Sequence, residues 1–200
     1  MKERGAAKWR LFVAVETDEA TRRILEEKIN QLSLCDEGKI KWVPASHIHL
    51  TLSFLGSVQQ EKREEIQRIL DEVAGEFPEF HLELERGGAF PDERRGRIFL
   101  VHLKGEVEIL KKMADDLHRR LAQVGYQKEE RKFVPHLTLG RLREGQEAAP
   151  AWVVNELLKW HPAKIVPFHV TQVVLFRSEL RALGPVYTAV YSARLGARKQ

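Results

Sequence analysis

The chain has 200 residues, a formal net charge of +4, 43% hydrophobic residues and 31% charged residues. This size suits one domain or two small lobes around a hydrophobic core. The single cysteine, Cys35, excludes an internal disulfide and a cysteine metal cluster. No apolar run approaches the roughly 20 residues of a membrane span, and no signal-peptide stretch follows Met1. We therefore expect a cytoplasmic protein, and the positive charge permits a polyanionic partner without requiring one.

Hydrophobic spacing predicts strands and helices that alternate along the chain. In chain order, we expect strands at residues 9–16, 41–55, 80–85, 98–103, 133–142, 164–176 and 187–195, and helices at residues 18–32, 61–73, 106–124 and 150–159. Asp18 is a favourable N-cap for the first helix. Gly56 is expected to end the second strand, and residues 87–91 are expected to form a loop. Polar and apolar residues alternate within the strands, which favours antiparallel sheets covered by helices.

The tetrapeptide His-Leu-Thr-Leu occurs twice, at residues 49–52 and 136–139. Side chains of a strand alternate between its two faces. The His and Thr of each copy therefore share one face, while both Leu side chains point to a core. The lead-ins are also similar, with Trp-Val-Pro at residues 42–44 and Phe-Val-Pro at residues 133–135. We interpret this similarity as an internal duplication.

The duplication predicts an α+β fold in which residues 1–200 form a single domain of two pseudo-symmetric lobes. We expect two duplicated, mainly antiparallel sheets that face each other across a central cleft, with helices on the outer faces. Each sheet then presents one imidazole and one hydroxyl to the cleft. Two acid–base groups and two hydrogen-bond donors in one cleft suit the cleavage of a phosphodiester.

His49 and His136 are the candidate acid–base pair, because imidazole titrates near neutral pH and can either donate or accept a proton. Thr51 and Thr138 are candidates to hydrogen-bond the phosphoryl oxygens. This chemistry requires no metal or other cofactor. The chain also has no His-Glu-x-x-His motif, no Asp-rich cluster and no cysteine pair.

An isolated histidine in a strand is more often structural than catalytic, but two similarly flanked copies favour catalysis. His47 can share a face with His49 and support it, although a partly exposed strand residue is the simpler interpretation. The remaining histidines have no motif around them, and we interpret each as a structural or a surface residue: His81, His102, His118, His161 and His169.

These motifs resemble those of the 2H (two-histidine) phosphoesterase superfamily, in its LigT-like RNA 2′,3′-cyclic phosphodiesterase branch. The resemblance covers nearly the whole chain. It includes the opening strand at residues 12–15, the first motif at residues 42–56, the central Gly-Ala-Phe-Pro at residues 88–91, the second motif at residues 133–141 and the C-terminal segments at residues 176–180 and 184–187. The family commonly has Ala where this chain has Gly140, a difference that we expect to change little.

The resemblance implies specific roles for the motif residues. His49 would donate a proton to the leaving 3′-oxygen, His136 would be the proton acceptor that activates water, and Thr51 and Thr138 would hold phosphoryl oxygens. The substrate would be an RNA or oligonucleotide with a 2′,3′-cyclic phosphate end, and the product a 2′-phosphomonoester. Reversible 2′–5′ RNA ligation in vitro would be the same chemistry run backwards. The near-symmetric motifs alone do not distinguish the donor from the acceptor, and we expect a monomer that does not bind membranes.

Two alternatives use the same cleft. A nucleotide-binding or RNA-binding module would keep the cleft without turnover, although two intact His-x-Thr pairs argue against it. A cellular ligase of RNA halves would have to work by reversal of the hydrolytic equilibrium, because the chain has no P-loop motif for nucleotide activation.

Arginines and aromatic residues near the motifs are further candidates. Strict alternation places Arg141 on the face opposite Thr138, but a bulge at Gly140 can return it to the cleft for phosphate contact. We predict that Arg97 also contacts substrate, whereas Arg94 and Arg95 belong to a solvated turn. Three aromatic residues could stack on a base: Phe54, Phe90 and Tyr187. Phe54 has the parity of the motif leucines, so we expect it in the core instead.

Overall fold

The computed structural model describes residues 8–93, 95–126, 132–164, 166–182 and 184–196. The strands are β1 (Lys8–Glu16), β2 (Ile40–Trp42), β3 (His49–Gln59), β4 (Phe80–Phe90), β5 (Ile98–Gly105), β6 (His136–Leu142), β7 (Phe168–Val170), β8 (Gln172–Arg181) and β9 (Gly184–Arg194). The α-helices are α1 (Glu19–Ser33), α2 (Arg63–Glu76), α3 (Val107–Gln123) and α4 (Ala151–Leu158). Short 3₁₀ turns at Ala45–His47 and Gln60–Lys62 precede β3 and α2.

Within the described residues, the strands form two antiparallel sheets. The first sheet has the order β3-β1-β8-β9, and the second has the order β2-β6-β5-β4-β7. The two motif strands therefore lie in different sheets, β3 at the edge of the first and β6 inside the second. The α+β class with two antiparallel sheets is confirmed.

The sheets are not built from separate halves of the chain. The short strand β2 comes from the first half, yet it pairs with β6 of the second motif, with Trp42 opposite Gly140. Conversely, β8 and β9 come from the C-terminal part and join β1 in the first sheet. The chain thus passes back and forth between the sheets, and the duplication visible in the sequence is interleaved in space.

Apolar faces of the helices and sheets share one extended core. Leu25 and Leu32 of α1, Ile66 and Leu70 of α2, and Leu117 of α3 are all buried in it. These residues lie at the three- and four-residue spacing of an amphipathic helix. The helix α1 begins as the sequence predicts, because the Asp18 carboxylate accepts a hydrogen bond of 2.8 Å from the Thr21 amide.

Both motif strands contain a β-bulge directly after the motif threonine. The pairing of β3 with β1 skips Leu52, and the pairing of β6 with β5 skips Leu139. An extra residue reverses the alternation of side chains beyond it. Phe54 and Arg141, three residues after their threonines, consequently lie on the same face as the motif His and Thr.

The bulge in β3 is held from outside the sheet. Nε2 of His118, a buried residue of α3, lies 2.8 Å from the carbonyl oxygen of Leu52. Because a carbonyl oxygen only accepts, the ring must donate from Nε2. His118 therefore satisfies the carbonyl of the residue that the strand pairing skips, and the expected structural role of His118 is consistent with this contact.

Several predicted strand boundaries are wrong. The strand expected at residues 164–176 is two strands, β7 and β8, and the strand expected from residue 133 begins at His136. Two further errors involve glycine. The strand β3 does not stop at Gly56 but continues to Gln59, with Gly56 in the left-handed region at φ 68°. Residues 87–90 are not a loop, because β4 continues through them and pairs with β5. Here the two glycines permit close packing: a Cβ on Gly88 would lie 2.5 Å from Nε2 of His102. Glycine within a strand signals close approach as well as a turn.

In the part of the chain that the structure describes, none of the helices is long and apolar enough to cross a membrane. The Arg94 prediction lies outside the described residues, as does Ile165 within the strand expected at residues 164–176.

Candidate active site

One cavity of about 470 Å³ contains most of the predicted site residues. It is lined by residues of β1, the segment before β3, β3 itself, β6 and the β8–β9 hairpin: Arg10, Leu11, Phe12, Val43, His47, His49, Thr51, Phe54, Gly56, Thr138, Arg141, Ser178, Leu180, Pro185 and Tyr187. His136 begins β6 two residues before Thr138, on the same face of that strand. The cavity therefore joins the two sheets at their motif strands.

Both motif histidines make the same backbone hydrogen bond. Nδ1 of His49 lies 2.8 Å from the carbonyl oxygen of His47, and Nδ1 of His136 lies 2.7 Å from that of Val134. Since a carbonyl only accepts, Nδ1 carries a proton in each ring. Nε2 of each imidazole is then left to exchange a proton with a ligand, as an acceptor when neutral and a donor when charged.

His49 lies among aromatic rings. It stacks on Phe12 with ring centroids 4.8 Å apart, and the edge of Tyr187 lies 5.3 Å away at 89°. Burial in this cluster lowers the pKa of His49 below 6.5, an effect that the bond to the His47 carbonyl opposes and the charge of His47 reinforces. The imidazole is thereby biased towards its neutral form.

His136 has a different surrounding. Its ring meets Phe90 edge-on at 5.1 Å, and it pairs across the β5–β6 ladder with His102. Burial lowers its pKa, and the nearby positive charge of Arg141 lowers it further, while the bond to the Val134 carbonyl raises it. The two motif histidines thus share a tautomer but differ in their neighbours: several aromatic rings surround His49, whereas one aromatic ring and the charge of Arg141 lie near His136.

The bulges decide the positions of two further side chains. Arg141 is exposed and lines the cavity, as the prediction of a bulge at Gly140 allowed. Phe54 was expected in the core, and this is wrong: its side chain is 61% exposed and also lines the cavity. Phe54 reaches the cavity for the same reason as Arg141, because the bulge after the motif threonine reverses the alternation of side chains.

Arg97 is not brought to this cavity. Its side chain donates a hydrogen bond of 3.3 Å to the carbonyl oxygen of Gln146. Its backbone amide donates to the carbonyl of Phe90, and its carbonyl accepts from the amide of Leu142. Its predicted contact with substrate therefore gains no support from its position. Arg95 pairs with Asp92 in an exposed turn, in agreement with the solvated turn expected there.

Sequence reasoning missed Arg10, Ser178 and Leu180, which line the cavity from β1 and β8. Arg10 lies two residues before Phe12 and shares its face of the strand, so the alternation of β1 could have revealed it. Ser178 and Leu180 lie in the C-terminal segment at residues 176–180 that resembles the family, but the predicted strand ended at residue 176, so their place in the cavity was not foreseen. Among the described residues, no group of three or more His, Cys, Asp or Glu side chains is placed to hold a metal ion.

Comparison with known proteins gives the family. A family model described as the 2′-5′ RNA ligase superfamily matches residues 19–182. The chain belongs to this superfamily. A protein of Archaeoglobus fulgidus named RNA 2′,3′-cyclic phosphodiesterase is 31% identical over 89% of this chain and 96% of its own. One of the same name from Aquifex aeolicus is 29% identical over 94% and 97%.

The fold is shared with a solved structure. A crystal structure of a protein from Thermus thermophilus superposes with a TM-score of 0.76 at 26% identity, covering 95% of this chain and all of that one. The resemblance of the two motifs to this superfamily is therefore confirmed over most of the chain.

Proposed function

We propose that this member of the 2′-5′ RNA ligase superfamily is an RNA 2′,3′-cyclic phosphodiesterase that hydrolyses the cyclic end to a 2′-phosphomonoester. The observation that supports this most directly is the duplicated geometry of the site. Two imidazoles, each with Nδ1 bound to a carbonyl, and two threonines lie on the motif strands; His49, Thr51 and Thr138 line a cavity between the sheets, and His136 lies two residues before Thr138 on the same face of β6. The names of the relatives from Archaeoglobus fulgidus and Aquifex aeolicus favour the same activity.

In the proposed reaction, water attacks phosphorus as the bond from phosphorus to O3′ breaks. His136 takes a proton from the attacking water, and His49 gives a proton to the leaving O3′. Each proton transfer is typically worth roughly 10²–10⁴ in rate. Before the reaction, the proton donor must be charged and the proton acceptor neutral. The two imidazoles therefore exchange protonation states during turnover, and transfer of one proton through solvent restores the starting states.

The remaining residues would bind the phosphate. The hydroxyls of Thr51 and Thr138 would donate hydrogen bonds to the non-bridging oxygens, where negative charge develops. Arg141 would add a guanidinium, which can grip two phosphate oxygens at once. Phe54 would offer its exposed ring to the terminal base. A 5′-hydroxyl in place of water would run the reaction backwards and yield a 2′–5′ linkage.

We further propose that one chain acts alone as a single domain of residues 1–200. The lining residues come from both sheets of the same chain. One cooperative unfolding transition and a monomeric mass in solution are expected, whereas two transitions or a dimer would contradict this.

The decisive experiment measures hydrolysis of a short RNA with a 2′,3′-cyclic phosphate end in the presence of a chelator. We expect multiple turnover by the wild-type protein and a loss of about 10²-fold or more in kcat for His49→Ala and His136→Ala. His161→Ala, at an exposed position outside the cavity, is the matched control. Persistence of the cyclic ester, or retention of product after one turnover, would support a binding module instead.

A further inference from the structure

The face of the first sheet that lines the cavity is arranged in rows of paired residues. The row at the motif contains Thr51, which pairs with Ala14. The next row is aromatic, because Phe12 pairs with both Phe54 and Phe176. These two rows suit the reacting phosphate and an attached nucleoside, respectively.

The third row is polar and has no role in the proposed hydrolysis. Arg10 pairs with Ser57 on one side and with Ser178 on the other, and Ser178 in turn pairs with Tyr187. Three of these side chains line the cavity: Arg10, Ser178 and Tyr187. Directly paired residues of an antiparallel sheet have Cβ atoms about 5 Å apart, so a guanidinium and two hydroxyls can converge on one ligand group.

The charge of Arg10 is available to a ligand. Its side chain is exposed within the cavity. Glu179, the acidic residue next to Ser178, instead pairs with Arg177 at 3.1 Å and with Arg181 at 3.8 Å. Burial raises the pKa of Tyr187, and the positive charges of Arg141 and Arg10 oppose this rise, so both charges lie near that phenol. The cavity thus holds two guanidiniums, whereas the cyclic phosphate of the substrate has one negative charge.

Side chains of the third row must reach towards the motif row to bind a second phosphate, because neighbouring phosphates of an RNA chain are closer together than these rows. Arg10 lies four residues from Ala14 along β1, about 13 Å between backbones at the rise of a strand. The ring of Tyr187, which pairs into the third row, lies 5.3 Å from that of His49. The aromatic row lies between the motif row and the third row. Beyond the polar row, Leu180 exposes 75% of its surface at the cavity mouth. This order is phosphate, nucleoside, phosphate and apolar ledge, which is the order of groups along an RNA chain read back from its cyclic end.

We propose that Arg10, Ser178 and Tyr187 form a second phosphate site, which binds the phosphodiester on the 5′ side of the terminal nucleoside. The protein therefore selects oligonucleotides over mononucleotides, and Leu180 supports the base of the preceding residue. This assignment rests on the proposed phosphodiesterase function and extends it to the class of substrate.

The test compares kcat/KM for three substrates that share the same reactive end. These are a nucleoside 2′,3′-cyclic phosphate, a dinucleotide with that end and a normal linkage, and the same dinucleotide with an uncharged methylphosphonate linkage. For the wild-type protein, we expect the normal dinucleotide to exceed both others by at least about tenfold, since hydrogen bonds to a charged group are strong.

Arg10→Met keeps an unbranched, flexible side chain and removes the charge. It should lower kcat/KM for the normal dinucleotide at least about tenfold more than for the other two substrates, so that the effects of the variant and of the uncharged linkage are not additive. Arg177→Met is the matched control, because Arg177 lies on the opposite face over Trp9, 4.6 Å from its centroid. It should keep the substrate preference of the wild-type protein.

Two results would overturn the second site. One is a wild-type protein that hydrolyses all three substrates equally well, a comparison that needs no variant. The other is an equal loss for all three substrates in Arg10→Met. Failure of the wild-type protein to hydrolyse any of them would instead refute the phosphodiesterase function, and the second site with it.

Discussion

Phe54 and Arg141 occupy the same position in the two copies of the motif, three residues after Thr51 and Thr138. Each follows a bulge that skips one leucine, and each lines the cavity between the sheets. The duplication has therefore kept the backbone irregularity while the side chain that it exposes has diverged. One copy supplies a flat apolar ring and the other a cation, as an asymmetric ligand such as a nucleotide requires.

Replacement of the motif threonines tests the proposed phosphate contacts. Thr51→Val and Thr138→Val keep the shape of the side chain but remove the hydroxyl. Loss of one donor to a developing negative charge typically costs about 10²–10³ in rate, so kcat should fall by at least tenfold with little change in stability. Thr188→Val, at an exposed position of β9, should leave kcat unchanged. Unaltered kcat in both motif variants would remove the threonines from the reaction.

Arg141 and Arg97 form an informative pair, because both were predicted from sequence and only Arg141 lines the cavity. We expect Arg141→Met to lower kcat/KM by about tenfold or more, in line with the loss of a charge-assisted bond. Arg97→Met, which removes only a bond to the Gln146 carbonyl, should change it by less than about threefold. A larger loss of kcat/KM in Arg97→Met than in Arg141→Met would show that the RNA binds along a different part of the surface.

The pH dependence of kcat/KM follows from the lowered pKa of both motif histidines. Burial lowers each below 6.5. The free protein is active when one ring is charged and the other neutral, so the maximum should lie on the acidic side of pH 6.5 and the activity should fall as pH rises. In Arg141→Met, removal of the cation should raise the pKa of His136, seen in its NMR titration. A maximum above about pH 7.5 in the wild-type protein would contradict the assignment.

Gly140 illustrates a steric constraint on the motif strand. A Cβ at this position would lie 2.8 Å from the Trp42 ring and 2.9 Å from Ile40. The ring cannot retreat freely, since its Nε1 donates to Asp36 at 2.8 Å. Gly140→Ala should therefore reduce the free energy of unfolding by about 1–3 kcal/mol. The expectation that Ala and Gly are nearly equivalent here disregards this contact between β2 and β6.

The control for that variant is Gly75→Ala in α2, where a Cβ would meet nothing within 4 Å. It should be neutral or stabilising by up to about 1 kcal/mol, because alanine restricts the unfolded chain. Denaturant unfolding of both variants checks the prediction, and equal stability of the two would show that β2 can shift to accept the methyl group.

His118 is expected to support the site indirectly. In His118→Ala, the carbonyl of Leu52 loses its buried donor, which should cost about 1–3 kcal/mol of stability. The loosened bulge should also lower kcat more than it raises KM, because Thr51 lies directly before it. His118→Gln, whose amide can donate to the same carbonyl, should restore part of kcat. A stability loss with no change in kcat would limit His118 to the core.

Much of the site is predictable from local sequence. The two His-x-Thr copies, their strand conformation and their common face follow from a period of two, and helix α1 follows from its cap and spacing. The position of Phe54 does not, because a single bulge reverses the parity on which the prediction depends. The continuation of β4 through its glycines fails for a similar reason, since only tertiary packing distinguishes close approach from a turn.

Contacts between distant segments account for the rest. No local pattern places the three residues of β2 beside β6 rather than β3, or brings Arg10 and Ser178 into one row. Arg97 lies in a basic cluster that suggests a phosphate contact, yet its guanidinium bonds the Gln146 carbonyl across 49 residues. Pairing of strands selects these neighbours, and it is specified by the complete set of apolar faces.

The exchange of β2 into the second sheet also limits how the molecule can move. Rigid-body separation of the two sheets would break the hydrogen bonds between Ile40–Trp42 and Gly140–Leu142, and it would displace the segment that immediately precedes His49. We therefore expect an RNA end to enter and leave the cavity beside Phe54 and Leu180, while the two sheets keep their relative positions throughout the catalytic cycle.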